Sequence, residues 1–357
     1  MKKNNLVALI AFLAIAFFAT GCNKDNNTVD ISDANMYDSD TTLLKLTDVK
    51  STGKFTVDRT YNFEKGQTFK YRFTSITETT QGVETDTSIT IDAIDHRVYF
   101  ITVRVLDVDD KGTGELEFTF AGIKIYAEQD TTKFSYTSGT LTDSLEKKKF
   151  FQFEALHNTP FVARIESNGS IFDMYKTDKI VDNMLTLGYG GTDSVSQEDR
   201  LVLKEEVQNS ILKPLVGQVY RKFTPDKWET GGKWEEVKQP FNLQIVLINN
   251  TQVFEIKESG KFNNDEIINI VGSLKVNIEK NPELAKQGIT IPVAEFDGFG
   301  NIFYDFTNKR IQKSATTTVL NMRTEGVAPG LLNPAVPIKF SQTEKSITRN
   351  YLEFLGK

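Results

Sequence analysis

Phe69-Lys-Tyr-Arg-Phe73 places an aromatic residue at every second position with a cation between each pair. That two-residue period marks a strand with one buried face. The same period recurs on both sides of it. Val98 to Leu106 is a β-branched run long enough for a central strand. Leu116, Phe118 and Phe120 share one parity, and Ile123 and Ile125 take the other, with Gly122 at the change. A bulge is expected there. Asp109-Asp-Lys-Gly112 reads as the hairpin turn between these two long strands. Asp95-His-Arg97 reads as a polar turn.

The middle of the chain changes period. Thr177 can cap a helix carrying Ile180, Val181, Met184, Leu185 and Leu187, with Gly188 as its left-handed stop. Ser196 can cap a second helix in which Leu203, Val207 and Ile211 lie four apart, ended by Pro214. Glu205 and Glu206 fall on its solvated side. Period two returns after Pro240. Leu243–Ile248 and Thr251–Glu258 read as a hairpin across Asn249-Asn250. Ile268, Ile270, Leu274, Val276 and Ile278 hold one parity, Asn281-Pro282 opens a short helix closed by Gly288, and 302–306, 314–322 and 338–347 read as strands. Strands, then helices, then strands give an α+β, mainly antiparallel β fold: a large curved sheet or a sandwich with a small helical insert. A single β-rich body is expected over 43–354, with strands in 43–165, the insert in 166–239 and strands again in 240–354.

The chain has 357 residues, a formal charge of −6, 25% charged and 39% hydrophobic residues, and 26 phenylalanines. This is ordinary globular composition, not that of a polytopic membrane protein or a disordered chain. The acidic balance argues against a nucleic-acid partner.

The amino terminus is more specific. Lys2 and Lys3 precede an unbroken apolar run, Leu6–Phe18, and small residues lead to Cys22. The run is shorter than the ~20 residues of a membrane-spanning helix and has the anatomy of a secretory signal. Ala19-Thr-Gly-Cys22 resembles a bacterial lipoprotein signal, departing from it at Ala19, where leucine is commoner. The resemblance implies removal of residues 1–21, acylation of Cys22 and attachment to a membrane. Residues 22–42 are rich in Asn, Asp, Ser and Thr and read as a flexible tether. Asn23, in the place where aspartate favours inner-membrane retention, points to the outer membrane. Cys22 is the sole cysteine, so no disulfide forms within the chain, and an acylated thiol is neither nucleophile nor metal ligand.

Tyr61-Asn-Phe-Glu-Lys-Gly66 before Phe69–Phe73, Leu106-Asp-Val-Asp-Asp-Lys-Gly112, Gly231-Gly-Lys-Trp234 and Gly298-Phe-Gly-Asn-Ile-Phe-Tyr-Asp305 together resemble, in that order, an uncharacterised lipoprotein family known only as a domain of unknown function. The resemblance spans about 43–350 and implies secretion, lipidation and a β-rich fold, with no activity to carry over. By architecture alone there is a more distant analogy to periplasmic lipid-carrier lipoproteins.

Chemistry-bearing patterns are sparse. Asp107-Val-Asp109-Asp-Lys111-Gly112 resembles the first half of a calcium loop, but Lys111 stands at a ligand position and Phe118 where the closing glutamate belongs. A plain turn is expected. His96 and His157 are too isolated for a zinc site, and neither a nucleophile elbow nor a phosphate loop is present. No metal, cofactor or catalytic set is expected. Trp228 and Trp234 flank Glu-Thr-Gly-Gly-Lys and are the candidate binding residues: two indoles on one loop can stack on a sugar or dock a partner, or can cap the core. The stripe Phe69, Tyr71, Phe73 is core, or the lining of a cavity if the sheet curves around one. The expected function is a non-catalytic, lipid-anchored envelope protein that binds a protein partner or serves the envelope structurally. The alternative is a carrier of an apolar, lipid-like ligand, and a third reading is a carboxylate-based hydrolase.

Overall fold

The computed structural model describes residues 39–357 apart from 58, 193–194, 226–227, 244, 282–285, 287 and 330–336. The expected signal, Cys22 and most of the tether lie outside the described residues, as does most of the helix expected after Asn281. The fold is mainly antiparallel β.

The strands are β1 (Thr47–Lys50), β2 (Thr68–Glu84), β3 (Ser88–Val108), β4 (Gly114–Gln129), β5 (Thr132–Thr137), β6 (Phe161–Ile165) and β7 (Ile171–Tyr175), followed after the helices by β8 (Lys233–Val237), β9 (Phe241–Leu243), β10 (Val246–Phe262), β11 (Asp265–Lys280), β12 (Thr290–Asp305), β13 (Arg310–Pro329) and β14 (Pro337–Gly356). They form one 14-stranded sheet in the order β1-β10-β11-β12-β13-β14-β2-β3-β4-β6-β7, with β8 and β9 also on β10 and β5 also on β4. The two β-rich stretches of sequence therefore meet in one sheet, where β14 pairs with β2 from Ser341↔Glu84 to Gly356↔Lys70.

The helices lie over one face. They are α1 (Ser144–Lys149), α2 (Phe151–Leu156), α3 (Asp178–Tyr189), α4 (Gln197–Glu206) and α5 (Lys213–Val219), with a π-helical turn, Val207–Leu212, joining the last two. Their apolar sides, including Ile180, Met184, Leu185, Val207, Leu212 and Val216, join the inner sheet face in one core. Aromatic rings dominate that core. Phe118 stacks on Phe161 at 5.4 Å, and Tyr61 meets Tyr220 edge-on at 5.2 Å. Each such ring buried adds roughly 1.5–3 kcal/mol of transfer free energy.

The turn at Asp109–Gly112 forms as expected, with Asp109 Oδ1 accepting from the N–H groups of Lys111 (3.0 Å) and Thr113 (2.8 Å). So does the bulge: Phe100 faces Gly122 while Ile101 faces Phe120, so Ala121 is the extra residue. Its effect is to bring Phe118, Phe120, Ile123 and Ile125 to the same core.

Four local expectations are corrected. Asp95-His-Arg97 is not a turn but lies inside β3, its polarity absorbed when Arg97 Nε and Nη2 clasp the Asp95 carboxylate at 2.7 Å each. Asn249-Asn250 is mid-strand in β10; the hairpin is at Asn263-Asn264, both in the left-handed region at φ 49° and 71°. Gly188 does not stop α3, which runs to Tyr189 and is capped by Gly190 at φ 86°. Gly188 instead admits the Phe151 ring, which a Cβ there would meet at 2.9 Å. Pro214 does not end the second helix. The preceding π turn absorbs the hydrogen bond that proline cannot donate, and the helix continues to Val219. Ser196 caps its start, accepting from Asp199 N at 3.1 Å.

Candidate functional site

The inner sheet face carries two apolar clusters, and the smaller one forms where the sheet divides. β11 and β12 pair only over Ile267–Ser273 and Phe299–Asp305. Past Ser273, β11 stays with β10 as far as Lys280↔Val246. Before Phe299, β12 stays with β13 back to Thr290↔Glu325. Two leaves result, β9-β10-β11 and β12-β13, and their inner faces turn toward each other.

Strand parity dictates what meets there. Ile268 and Ile270 point into the main core, so Val276 and Ile278 continue on the same face of β11. Val246 and Ile248 lie opposite Lys280 and Ile278 on β10. From the other leaf come Ile291, Phe296, Leu320 and Met322. Val246, Ile248, Ile291, Leu320 and Met322 are buried; Ile245, Val276, Ile278, Ile289, Ala294 and Phe296 are half-buried around them. Contacts bridge the gap directly. Phe241 meets Phe296 edge-on at 6.0 Å, and Lys280 Nζ donates to the Ile291 carbonyl at 2.6 Å. At the apex a Cβ on Gly298 would lie 2.6 Å from Leu274 Cδ1, and one on Gly300 2.6 Å from the Ala315 carbonyl oxygen. Gly298 thus lets the leaves approach at the point where they separate, and Gly300 lets β12 and β13 of one leaf close up.

The flanking floor is polar. Thr77 and Thr348 share a hydrogen bond at 3.0 Å, and Thr79 and Ser346 one at 3.1 Å, on the inner face of β2 and β14. An apolar wedge thus borders a hydroxyl-lined strip, an arrangement able to hold an amphiphile by its chain.

The other sequence candidates are placed as follows. The stripe Phe69, Tyr71, Phe73 is filled core: Tyr71 meets Phe354 at 5.5 Å and Phe73 stacks on Tyr99 at 6.1 Å. It lines no cavity. Trp234 is buried and stacks on Phe254 at 5.1 Å; Trp228 is half-buried against Tyr304 at 5.7 Å. The loop between them packs back on the sheet through Gly231 N to the Ile256 carbonyl at 2.8 Å. A hollow of about 460 Å³ beside the β3–β4 turn is lined by Asp107, Asp109, Glu115, Arg164, Asp173 and Tyr175. Its charges are largely committed. Arg164 reaches Asp109 at 3.5 Å, and Tyr175 is pushed up to about 12 by burial and by its hydrogen bond to Glu115. Among the described residues no group of three or more His, Cys, Asp or Glu side chains could hold a metal ion. His96 and His157 do not come together. His96 sits in β3 and His157 follows α2, 3.0 Å from the Asn158 amide.

The wedge was not visible as a site in the sequence. Its signal was there, in apolar parity that runs past the main core along β10 and β11, but nothing in that parity reveals that β11 and β12 part.

Residues 111–309 match a family of unknown function, DUF6263. The chain belongs to that family. The match covers the landmarks from Gly231 to Asp305; those at 61–73 precede it. No curated protein matches. Among solved structures, a lipovitellin described by its lipid–protein interactions resembles the chain at 12% identity and a TM-score of 0.42, over 83% of this chain and 26% of its own. The chain thus spans about a quarter of that protein. An outer membrane channel from Pseudomonas putida F1 matches at 6% identity and a TM-score of 0.22, over 85% of this chain and all of its own. A third, OccK2 of Pseudomonas aeruginosa, crystallised with glucuronate, matches at 6% identity and a TM-score of 0.18, over 80% of this chain and 96% of its own.

Proposed function

We propose that this DUF6263 protein is a non-catalytic, lipid-anchored protein of the cell envelope that binds an apolar, lipid-like ligand in the wedge between the β10–β11 and β12–β13 leaves. The parting of β11 from β12 is the observation that carries the reading. Two faces lined by Ile, Val, Leu, Met and Phe meet there without a hydrogen-bonded seam to hold them together. Leaves without a backbone seam separate at the cost of apolar contact and the Lys280–Ile291 hydrogen bond, and an acyl chain restores the apolar contact. The anchor rests on the Ala19–Cys22 signal, and Asn23 after it favours the outer membrane.

Native mass spectrometry of residues 23–357, secreted without lipidation and purified gently, tests the ligand. A stoichiometric mass that organic solvent extracts is expected, and Ile278→Asp should abolish it by placing a charge in the wedge. A clean apo mass for the unsubstituted protein overturns the reading and leaves a protein partner or a structural role as the function.

A further inference from the structure

Resting on the wedge as the ligand site, we infer that its ligand is a single acyl chain ending in an anion, and that Lys280 recognises the charged end. The position follows from strand parity. Leu274, Val276, Ile278 and Lys280 follow one another on the inner face of β11, from the apex of the wedge to its open end. Three apolar side chains are succeeded by one cation, the order of an amphiphile from tail to head. Six residues of strand separate Leu274 from Lys280, about 20 Å. An acyl chain fills one leaflet of a hydrocarbon core ~30 Å thick, roughly 15 Å. A chain whose tip lies near the apex therefore brings its head to Lys280.

The surroundings leave the charge of that ammonium unmatched. Among the described residues Lys280 Nζ meets no carboxylate, and its hydrogen bond goes to the neutral carbonyl of Ile291 on the other leaf at 2.6 Å. The acids closest in register are engaged elsewhere. Glu279 points to the opposite face of β11 and accepts from Asn249 at 2.9 Å. Glu325, opposite Thr290, pairs with Arg323 at 2.6 Å. Glu344 stands beyond Met322 on β14, outside the wedge. The neighbours of Lys280 at the mouth are apolar: Val246 opposite it, with Ile289 and Ile291 in the same cluster. Beside such a wall an anion is screened less by water than on an open surface.

The Lys280–Ile291 bond also spans the mouth, so a chain that spreads the two leaves must break it. A neutral ligand gives the ammonium nothing but water in exchange. A carboxylate or phosphate replaces a bond to a neutral acceptor with one between ions, about twice as strong. The latch thus works against uncharged apolar molecules and yields to anionic ones.

Residues 23–357, which contain the whole described body, are freed of bound lipid and titrated at about pH 8, where carboxylate and ammonium are both charged. The probes are palmitate, palmitoyl-lysophosphatidylglycerol and hexadecanol, with binding read by native mass spectrometry. Both anions are expected to bind about tenfold or more tighter than hexadecanol, the fold-change of a hydrogen bond between charged groups. The tighter of the two identifies the head as carboxylate or phosphate. Lys280→Met should remove the preference without weakening hexadecanol, Lys280→Arg should keep it, and Ile278→Asp should abolish binding of all three. Equal affinity of the parent for palmitate and hexadecanol, or a Lys280→Met variant that keeps the preference, overturns the role of Lys280 and leaves the wedge intact. Failure of all three probes to bind the parent overturns the wedge as the ligand site, and this inference with it.

Discussion

His96 shows how a single side chain is repurposed by the strand around it. Its neighbours Asp95 and Arg97 point to the helical face, where Arg97 also lies over the Phe153 ring at 5.8 Å. His96 points to the other face, opposite Ile76 and Tyr126, with Nε2 buried and unbonded. Burial, reinforced by the charge of Lys124 and only partly opposed by Asp95, holds its pKa below the ordinary 6.5. The sign follows. Below about pH 6.5 the unfolded chain takes up a proton that the folded imidazole resists, so stability is lost as pH falls through that window. His96→Gln removes this increment. Urea midpoints at about pH 7.5 and about pH 5 should converge in the variant relative to the parent; an unchanged difference would show that His96 is not its source.

Two glycines of β12 at the apex of the division do different work: Gly298 faces Leu274 of the other leaf, and Gly300 faces β13 of its own. At Gly300 an added Cβ meets backbone, the Ala315 carbonyl oxygen at 2.6 Å and Thr316 Cα at 2.8 Å, which cannot step aside. At Gly298 it meets the far end of Leu274, which can. Gly300→Ala should therefore cost on the order of 1–3 kcal/mol or more, the range of overpacking, and Gly298→Ala less. Leu274→Ala should rescue Gly298→Ala and not Gly300→Ala, a coupling that a double-mutant cycle in denaturant reads directly. Equal costs for the two glycines would refute this account of the apex. Elements of this kind mark the limit of what the sequence disclosed. Alternation identified the eight long strands, because a half-buried strand must alternate; β1 and β5 to β9, three to six residues each, were too short to show a period. Turn chemistry was ambiguous where it occurred twice: Asn249-Asn250 and Asn263-Asn264 are the same dipeptide, and only the second lies where β10 has run its length. Pro214 misled because a π turn upstream supplied the slack that an α-helix lacks. The wedge escaped because each strand lining it has an ordinary pattern; the site is a property of pairing lost between two strands, which no single segment encodes.

Over the whole molecule, the recurring problem is what to do with the edges of so wide a sheet. β4 is covered along its outer side by β6 and then β5. β10 is covered in succession by β9, β8 and β1, which meet it at Val246–Ile248, Thr251–Glu255 and Ser259–Lys261. The first of these covers to arrive in sequence, β1, belongs to the same strap as Asp40, which lies on the sheet face opposite the helices, where its Oδ2 accepts from Lys313 Nζ at 2.6 Å and its N–H donates to Glu353 Oε1 at 3.1 Å. The chain is held on the outer face by Lys313, runs to the β10 edge where Leu46 and the Thr47 carbonyl close over Gly260, and enters the inner core with Tyr61. The strap therefore serves two ends: it fixes where the amino-terminal segment leaves the body, and it blocks backbone groups that would otherwise be free to pair with another chain. Removing residues up to Lys50 should separate these effects from the core. The wedge, the helices and the strands from β2 onward keep their contacts with one another, so the truncated chain should still fold, with a lower denaturant midpoint. Its uncovered stretch at Ser259–Lys261 should make it associate as concentration rises, visible as a growing mass by light scattering. Restoring residues 39–50 should return it to the mass of the parent; a truncated chain that matched the parent in both midpoint and mass would mean that the strap neither stabilises the sheet nor guards its edge.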